Sequence, residues 1–355
     1  MRLTDLIHAL PPHADAFLLT CESNIFYFTG FPCDAAVLLA TRDGSFFFTD
    51  SRYMEAAQRV IQGVSFCDSA KFPSLFPQLL TEHHVRRLLV ETSRITVLQA
   101  QRFQSLVPDV QFLYEDDGAF LGQFRRKKGA DEEMKMERAQ RIAEQAFEKI
   151  LPLVKPGRTE KEIALELDYA MLRLGAEALS FQTIVVGGEN SSMPHGVPGG
   201  RAFQSGDLIT FDFGAVFEGY HSDMTRTVAL GVCGDAQREV YDIVLRAQKA
   251  GVAALRPGVP CKDADAAARQ VIEKAGFGAY FGHGTGHGVG VEIHEKPTLN
   301  PRSKETLEVG DVVTVEPGIY LPGRFGVRIE DMLRITEDGC RNFTETNKEL
   351  RILPI

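Results

Sequence analysis

The stretch Gly206-Asp-Leu-Ile-Thr-Phe-Asp212-Phe-Gly214 recurs later in the chain as Gly310-Asp-Val-Val-Thr-Val-Glu316-Pro-Gly318. The two copies align glycine on glycine and acid on acid, so that Glu316 falls on Asp212. Each copy follows two helical segments separated by a Pro-Gly turn, Lys155-Pro-Gly157 in the first and Arg256-Pro-Gly258 in the second, at nearly the same spacing. A duplicated unit of helices and strands predicts a pseudo-twofold domain with its functional site between the halves.

Hydrophobic periodicity assigns the elements of this domain. Thr159 and Glu162 form a capping-box signature at the start of one helix. We predict helices over residues 131–153, 159–174, 236–255 and 262–275, and strands over residues 181–186, 207–217, 220–230, 311–316 and 326–335.

The first copy contains two aspartates that a hairpin would bring together. If Glu218-Gly219 is a two-residue turn, Asp212 lies opposite Thr225, and Asp223 is a diagonal neighbour on the same face. Two core-facing carboxylates repel each other and need a compensating cation. Glu316 and Glu330 pose the same problem of buried like charges in the second copy, although any one of these acids alone could be a surface residue.

Histidines are concentrated in the segment Phe281-Gly-His283-Gly-Thr-Gly-His287-Gly-Val-Gly-Val-Glu-Ile-His294-Glu295. A flexible linker is one alternative, and a phosphate-binding loop is another, but the segment lacks the Lys-Ser/Thr ending of such a loop. The intervening glycines argue against a zincin-type helix. A loop that brings His287 to the four carboxylates gives five ligands, which suit two divalent cations with shared carboxylates.

The composition excludes several classes of protein. A length of 355 residues suggests two domains, and a formal net charge of -9 disfavours binding to nucleic acid or to an anionic membrane. No apolar run is long enough for a membrane span, and the N-terminal residues do not resemble a signal peptide. The six cysteines are scattered without a Cys-x-x-Cys pair, which is typical of reduced thiols in a cytoplasmic protein.

The N-terminal part is predicted to be a separate α/β domain over residues 1–122. Strands are expected at 16–20, 35–39, 45–49 and 86–90, and helices at 53–61 and 96–106. The basic run within residues 123–130 is interpreted as a solvated linker, which leaves residues 131–355 as the catalytic domain.

Several motifs together resemble the Xaa-Pro peptidases, the aminopeptidase P and prolidase group with the pita-bread metallopeptidase fold. These motifs are Phe211-Asp212-Phe-Gly214, His221-Ser-Asp223-Met-Thr-Arg226, His283-Gly-Thr-Gly-His287-Gly, His294-Glu295, Val315-Glu316-Pro-Gly-Ile-Tyr320 and Val327-Arg328-Ile-Glu330-Asp331. Asn24-Ile-Phe-Tyr-Phe-Thr-Gly30 and Thr49-Asp-Ser-Arg-Tyr53 are similar to the creatinase-type N-terminal domain of the same group. The resemblance implies a creatinase-like α/β domain followed by a pseudo-twofold pita-bread catalytic domain, in a homodimer.

The resemblance also implies the roles of the site residues. The metal ligands would be Asp212, Asp223, His287, Glu316 and Glu330. Catalytic or substrate-binding roles would fall to His195, His283, His294, Arg328 and Glu316, the last as general base. The cofactors would be two divalent ions, of which Mn²⁺ suits a site with one histidine among carboxylates, with Co²⁺ or Zn²⁺ as alternatives.

The five ligands do not distinguish the members of this group. An aminopeptidase P cleaves the Xaa-Pro bond at the N-terminus of a peptide, and the short connection Tyr320–Gly326 favours the open cleft that this activity needs. The alternative is an Xaa-Pro dipeptidase, or prolidase, in which Arg328 would bind the terminal carboxylate. Methionine aminopeptidase and a metal-free peptide-binding relative are more distant alternatives. Each of the peptidase alternatives implies a peptide substrate, and for the Xaa-Pro enzymes this peptide contains proline.

Overall fold

The structure is a computed structural model that describes residues 2–115 and 117–355. The chain divides into two compact units, Met1–Arg125 and Arg126–Ile355. Met1 and Asp116, which fall within the predicted N-terminal domain, lie outside the described residues. Within the part of the chain that is described, no helix combines the length and the apolar character needed to cross a bilayer.

The first unit is a six-stranded mixed sheet with helices, in the strand order β4-β3-β2-β1-β5-β6. Its strands are β1 (Ala16–Leu19), β2 (Val37–Thr41), β3 (Ser45–Thr49), β4 (Ser65–Asp68), β5 (Arg87–Val90) and β6 (Gln111–Leu113). Its helices are α1 (Arg2–His8), α2 (Glu22–Thr29), α3 (Met54–Val60), α4 (Phe72–Glu82), α5 (Val97–Leu106) and α6 (Asp117–Arg126), whose last residue begins the second unit.

The predicted elements of this unit are present with small shifts at their ends. The hairpin of β2 and β3 pairs Ala40 with Ser45 around the expected turn. Thr96 caps α5, and its hydroxyl accepts a hydrogen bond from the amide of Gln99 at 3.2 Å. Buried aromatic side chains such as Phe48, Phe72 and Phe76 fill the core. Every residue of β3 is buried, so this strand packs against other residues on both of its faces.

The second unit contains the duplicated half-domains. Its helices are α7 (Ala130–Ile150), α8 (Glu160–Arg173), α9 (Asp235–Ala254) and α10 (Cys261–Lys274). Its strands are β7 (Ala178–Leu179), β8 (Ile184–Gly187), β9 (Leu208–Phe213), β10 (Ala215–Phe217), β11 (Tyr220–His221), β12 (Met224–Leu230), β13 (Gly286–Gly288), β14 (Glu295–Leu299), β15 (Val312–Val315), β16 (Gly318–Leu321), β17 (Phe325–Arg328), β18 (Asp331–Ile335), β19 (Cys340–Asn342) and β20 (Arg351–Leu353).

Each half-domain packs two helices against one sheet. In the first half, α7 and α8 cover the sheet β20-β12-β9-β8, and Phe147 of α7 packs on Phe211 and Phe213. In the second half, α10 contributes Cys261 and Ala264 to a core shared with the sheet β14-β13-β15-β18-β19. The predicted capping box of α8 is present, with Thr159 as its N-cap.

The predicted hairpin register is confirmed. Thr225 of β12 pairs with Asp212 of β9, and Glu218 and Gly219 form the turn with positive φ angles of 47° and 76°. Positive φ at both turn residues matches the right-handed twist of the flanking strands. The tight turn therefore fixes which residues face each other.

Three predicted long strands are interrupted, which corrects the expectation of continuous strands. Residues 207–217 divide at Gly214, where a Cβ atom would lie 1.9 Å from the carbonyl oxygen of Ser222. β11 ends before Asp223, and β17 ends before Glu330. The chain therefore leaves the regular ladder at one acidic residue in each half.

The expectation that residues 123–130 form a solvated linker is wrong. α6 extends through Arg126, whose Nε donates a hydrogen bond to Asp311 Oδ1 at 2.6 Å. Lys128 is only 4% exposed, and its Nζ lies 3.1 Å from Glu295 Oε2. Lys128 is buried, and Arg126 is largely covered, because carboxylates distant in sequence pair with them.

Candidate metal centre

A cavity of about 820 Å³ opens in the second unit, and acidic and histidine side chains line it. All nine site residues predicted from the sequence contribute to its wall. They are His195, Asp212, Asp223, His283, His287, His294, Glu316, Arg328 and Glu330. The structure therefore brings the predicted residues together, while their individual roles remain predictions.

The two half-domains supply the acids at equivalent positions. Asp212 is on β9 and Asp223 lies in the break between β11 and β12. In the other half, Glu316 follows β15 and Glu330 lies in the break between β17 and β18. The register of β15 and β18, in which Val315 pairs with Asp331, brings Glu316 and Glu330 to the same end of the ladder.

His287 reaches the acids because glycines surround it. A Cβ atom on Gly286 would lie 2.0 Å from the carbonyl oxygen of Thr314, and one on Gly288 would lie 2.4 Å from that of Lys296. Only glycine allows β13 to pass this close to its neighbouring strands. The glycines of this segment therefore serve close packing, and they hold His287 in a short strand.

Three of the side chains form a compact group that could hold a metal ion. Ligand-type atoms of Asp223, His287 and Glu330 all lie within 4.8 Å of one another. His287 Nε2 is 3.5 Å from Asp223 Oδ2 and also 3.5 Å from Glu316 Oε1. One nitrogen thus faces carboxylates from both halves of the domain.

Burial and mutual repulsion perturb the acids strongly. Burial, reinforced by the charges of Asp212 and Glu316, raises the pKa of Asp223 well above its usual value. Burial and the charge of Asp223 do the same to the pKa of Glu330. Burial raises the pKa of Glu316 to about 8, although Arg328 opposes the shift. Clustered carboxylates of this kind call for a divalent cation.

The charge and the tautomer of His287 suit a metal ligand. Burial lowers the pKa of His287 to about 4, so its imidazole is neutral near pH 7. His287 Nδ1 is 3.0 Å from the carbonyl oxygen of Gly288. A carbonyl accepts but does not donate, so the proton resides on Nδ1 and the Nε2 lone pair faces the acids. The residues present therefore fit a divalent metal site.

The guanidinium group of Arg328 is hydrogen-bonded to the acidic cluster, directly and through Thr225. Its Nη2 donates to Asp212 Oδ2 at 2.5 Å, and its Nε donates to Thr225 Oγ1 at 3.1 Å. Thr225 in turn donates to Glu330 Oε2 at 2.7 Å. This buried chain orients Asp212 and Glu330, and it occupies most of the guanidinium group.

Tyr320 also contacts the site residues, although the sequence analysis assigns no role to this tyrosine. Arg328 Nη1 donates to its hydroxyl oxygen at 2.7 Å, and the hydroxyl lies 2.9 Å from His283 Nε2. Because His283 Nδ1 faces the carbonyl oxygen of Gly284 at 2.8 Å, Nε2 accepts the tyrosine proton. Burial raises the pKa of Tyr320 to about 12, which keeps this proton in place. The one feature of the sequence that could have indicated a role for Tyr320 is its position at the end of the motif Val315–Tyr320.

The remaining two histidines lie at the mouth of the cavity. His195 and His294 are both exposed. The ring of His294 packs edge-on against that of His287, with centroids 4.4 Å apart. An exposed imidazole beside the neutral imidazole of His287 is accessible to a molecule that enters the cavity.

A duplicated α/β unit with a buried carboxylate–histidine centre in an open cavity defines the chain as a metallopeptidase. Residues 134–337 match metallopeptidase family M24, and residues 2–117 match the creatinase/prolidase N-terminal domain. The protein belongs to this family, in its Xaa-Pro peptidase group. The expected creatinase-like domain and pita-bread domain are therefore confirmed.

The similarity to known proteins extends over nearly the whole chain. The uncharacterized peptidase YqhT of Bacillus subtilis (strain 168) is 41% identical over 340 residues, which are 96% of this chain and 96% of that protein. An Xaa-Pro dipeptidase from Bacillus anthracis superposes with a TM-score of 0.94 at 38% identity, covering 99% of this chain and 98% of that one. An X-Pro aminopeptidase from Thermotoga maritima MSB8 gives a TM-score of 0.91 at 34% identity, covering 99% and 100%.

Proposed function

We propose that this protein is an Xaa-Pro dipeptidase that hydrolyses the peptide bond before a C-terminal proline with the help of two divalent cations. The observation that carries metal-dependent hydrolysis is the convergence of four acids and one neutral histidine in a single open cavity. The higher identity and TM-score of the Bacillus anthracis dipeptidase support this activity over the aminopeptidase P activity that the short Tyr320–Gly326 connection favours.

The proposed ligands are Asp212, Asp223, His287, Glu316 and Glu330. One nitrogen ligand among carboxylate oxygens favours a hard ion such as Mn²⁺, with Co²⁺ or Zn²⁺ as alternatives. When bound, such ions supply Lewis-acid polarisation of the scissile carbonyl and lower the pKa of the attacking water.

The chain's own residues handle protons and the developing charge. Glu316, which follows β15 with its Oε1 3.5 Å from His287 Nε2, would accept a proton from water and return it to the leaving nitrogen. His294 at the cavity mouth donates a hydrogen bond to the oxyanion. Arg328 and Tyr320 hold His283 in one tautomer, so its ring presents a fixed surface to the proline.

A dipeptidase also needs a cation for the terminal carboxylate of its substrate. Arg328 is a poor candidate because it is buried and paired with Asp212. Arg269 is engaged by Asp265. Arg302 lines the same cavity and is exposed, and within residues 2–115 and 117–355 its side chain has no hydrogen-bond or ion-pair partner. We assign the carboxylate contact to Arg302 in place of Arg328.

We expect kcat/KM for Ala-Pro to exceed that for Ala-Pro-Ala, and Arg302→Ala to remove the preference. Loss of a hydrogen bond to a charged group costs about 1.5–3 kcal/mol, which corresponds to roughly a tenfold to hundredfold lower kcat/KM for Ala-Pro. The value for Ala-Pro-Ala should change little. Arg324→Ala, an exposed arginine at the tip of the hairpin between β16 and β17, is the matched control.

Aminopeptidase P activity is the second candidate, favoured by the short hairpin of β16 and β17. A clear preference of the wild-type enzyme for Ala-Pro-Ala would establish it and would reject the dipeptidase. Equal loss on both substrates in Arg302→Ala would reject the role of Arg302 alone.

A further inference from the structure

The glycine-rich segment that carries His283 and His287 is held by side chains of α10. Arg269 Nη1 donates to the carbonyl oxygen of Phe281 at 3.1 Å, and its Nη2 donates to that of His283 at 2.7 Å. The guanidinium carbon also lies 4.2 Å from the centre of the Phe281 ring. One arginine therefore fixes two backbone carbonyls within a stretch whose glycines confer little rigidity.

Asp265, one helical turn before Arg269, orients the guanidinium group. Arg269 Nε and Nη2 donate to the two oxygens of Asp265, each at 2.8 Å. The carboxylate also accepts hydrogen bonds from the Thr285 amide at 3.0 Å and from the Thr285 hydroxyl at 2.8 Å. Asp265 is 1% exposed, and such a bidentate pair has little freedom to rotate.

The residues on either side of His283 are thus fixed from the same helix. The His283 ring packs edge-on against Phe281, with centroids 5.0 Å apart, and its Nε2 meets the hydroxyl of Tyr320. The amide of Glu316 donates to the carbonyl oxygen of Thr285 at 2.7 Å, which joins this segment to the strand that ends at the centre. A shift of the segment would therefore move the His283 imidazole away from Tyr320.

We propose that Arg269, oriented by Asp265, is a positioning residue for His283. It acts by holding the carbonyls of Phe281 and His283, so that the imidazole stays on the Tyr320 hydroxyl and faces the substrate cavity. This inference rests on the proposed function for its effect on turnover. The geometry it concerns is a property of the folded chain and can be measured without turnover.

A double-mutant cycle separates positioning from general stabilisation. Arg269→Gln should lower kcat/KM for Ala-Pro by about tenfold to a hundredfold, because small displacements of catalytic groups have effects of this size. In a His283→Ala background the same change should cost less than about threefold, since its target is gone. Bound metal per chain should equal that of the wild type in all variants.

The control for the cycle is Arg246→Gln, which removes an exposed arginine from α9 and should leave kcat/KM within about twofold. Equal losses from Arg269→Gln in both backgrounds would show a structural role and overturn the proposal. If Arg269→Gln does not fold, Arg269→Lys in the same cycle replaces it. Lysine keeps the positive charge but lacks the planar guanidinium group. We therefore expect Arg269→Lys to lower kcat/KM less than Arg269→Gln does, and again to have little effect in the His283→Ala background.

A second measurement keeps the test independent of the proposed function. In protein with ¹⁵N-labelled histidine, the ring signals of His283, identified by their loss in His283→Ala, should shift in Arg269→Gln and stay in place in Arg246→Gln. If the wild type cleaves neither Ala-Pro nor Ala-Pro-Ala, the proposed function fails, and this spectrum alone decides the positioning role. Unchanged His283 signals in Arg269→Gln would overturn it.

Discussion

Replacing His287 with alanine should remove bound metal and peptidase activity together. His287 Nε2 faces carboxylates from both halves of the domain, at 3.5 Å from Asp223 and from Glu316. Even residues that only support a metal ligand are typically worth 10- to 100-fold in affinity, so loss of a ligand should cost at least about 100-fold. Metal titration and kcat/KM for Ala-Pro measure the two effects.

The matched control for this change is His13→Ala, which removes an exposed histidine from the first unit. It should retain full metal content and full activity. His287→Ala protein that bound metal with unchanged affinity would show that His287 is not a ligand, whatever its activity.

His294→Ala should show the opposite combination, with metal retained and turnover lost. Its ring packs against that of His287 but is exposed at the cavity mouth, where it can reach the substrate. Loss of one oxyanion donor costs about 3–4 kcal/mol, or roughly 10²- to 10³-fold in kcat. The measurement is kcat for Ala-Pro at saturating metal, with metal content determined on the same sample.

His294→Gln is the companion variant, since its amide keeps a donor and should recover part of the lost kcat. A His294→Ala enzyme with normal kcat would remove this histidine from the mechanism. One that lost metal as well would place it among the ligands.

The geometry of the acids could be predicted where short-range rules determine it. The Glu218-Gly219 turn fixes the pairing of Asp212 with Thr225, because a two-residue hairpin admits one register. The repeat places a second pair of acids, Glu316 and Glu330, at the corresponding strands of the other half, although Glu316 falls opposite Glu330 there and not opposite a threonine. Local turn chemistry together with internal duplication was sufficient to bring these acids into one site.

Features that depend on partners distant in sequence could not be predicted. Lys128 is buried because Glu295 neutralises it, and a basic run by itself does not indicate such a partner. The engagement of Tyr320 with His283, and that of Arg269 with the same segment, likewise exist only after the strands and α10 have packed. Periodicity also does not register the strand breaks at Asp223 and Glu330, because the chain continues as an extended strand on both sides of each break.

The most direct test of the account is the metal dependence of Ala-Pro hydrolysis. Protein stripped by a chelator and then dialysed should have no measurable activity, and added Mn²⁺ or Co²⁺ should restore it as the sites fill. The buried, mutually repelling carboxylates of Asp223, Glu316 and Glu330 are the physical basis for this expectation. Full hydrolysis of Ala-Pro by protein shown to contain no metal would contradict the account.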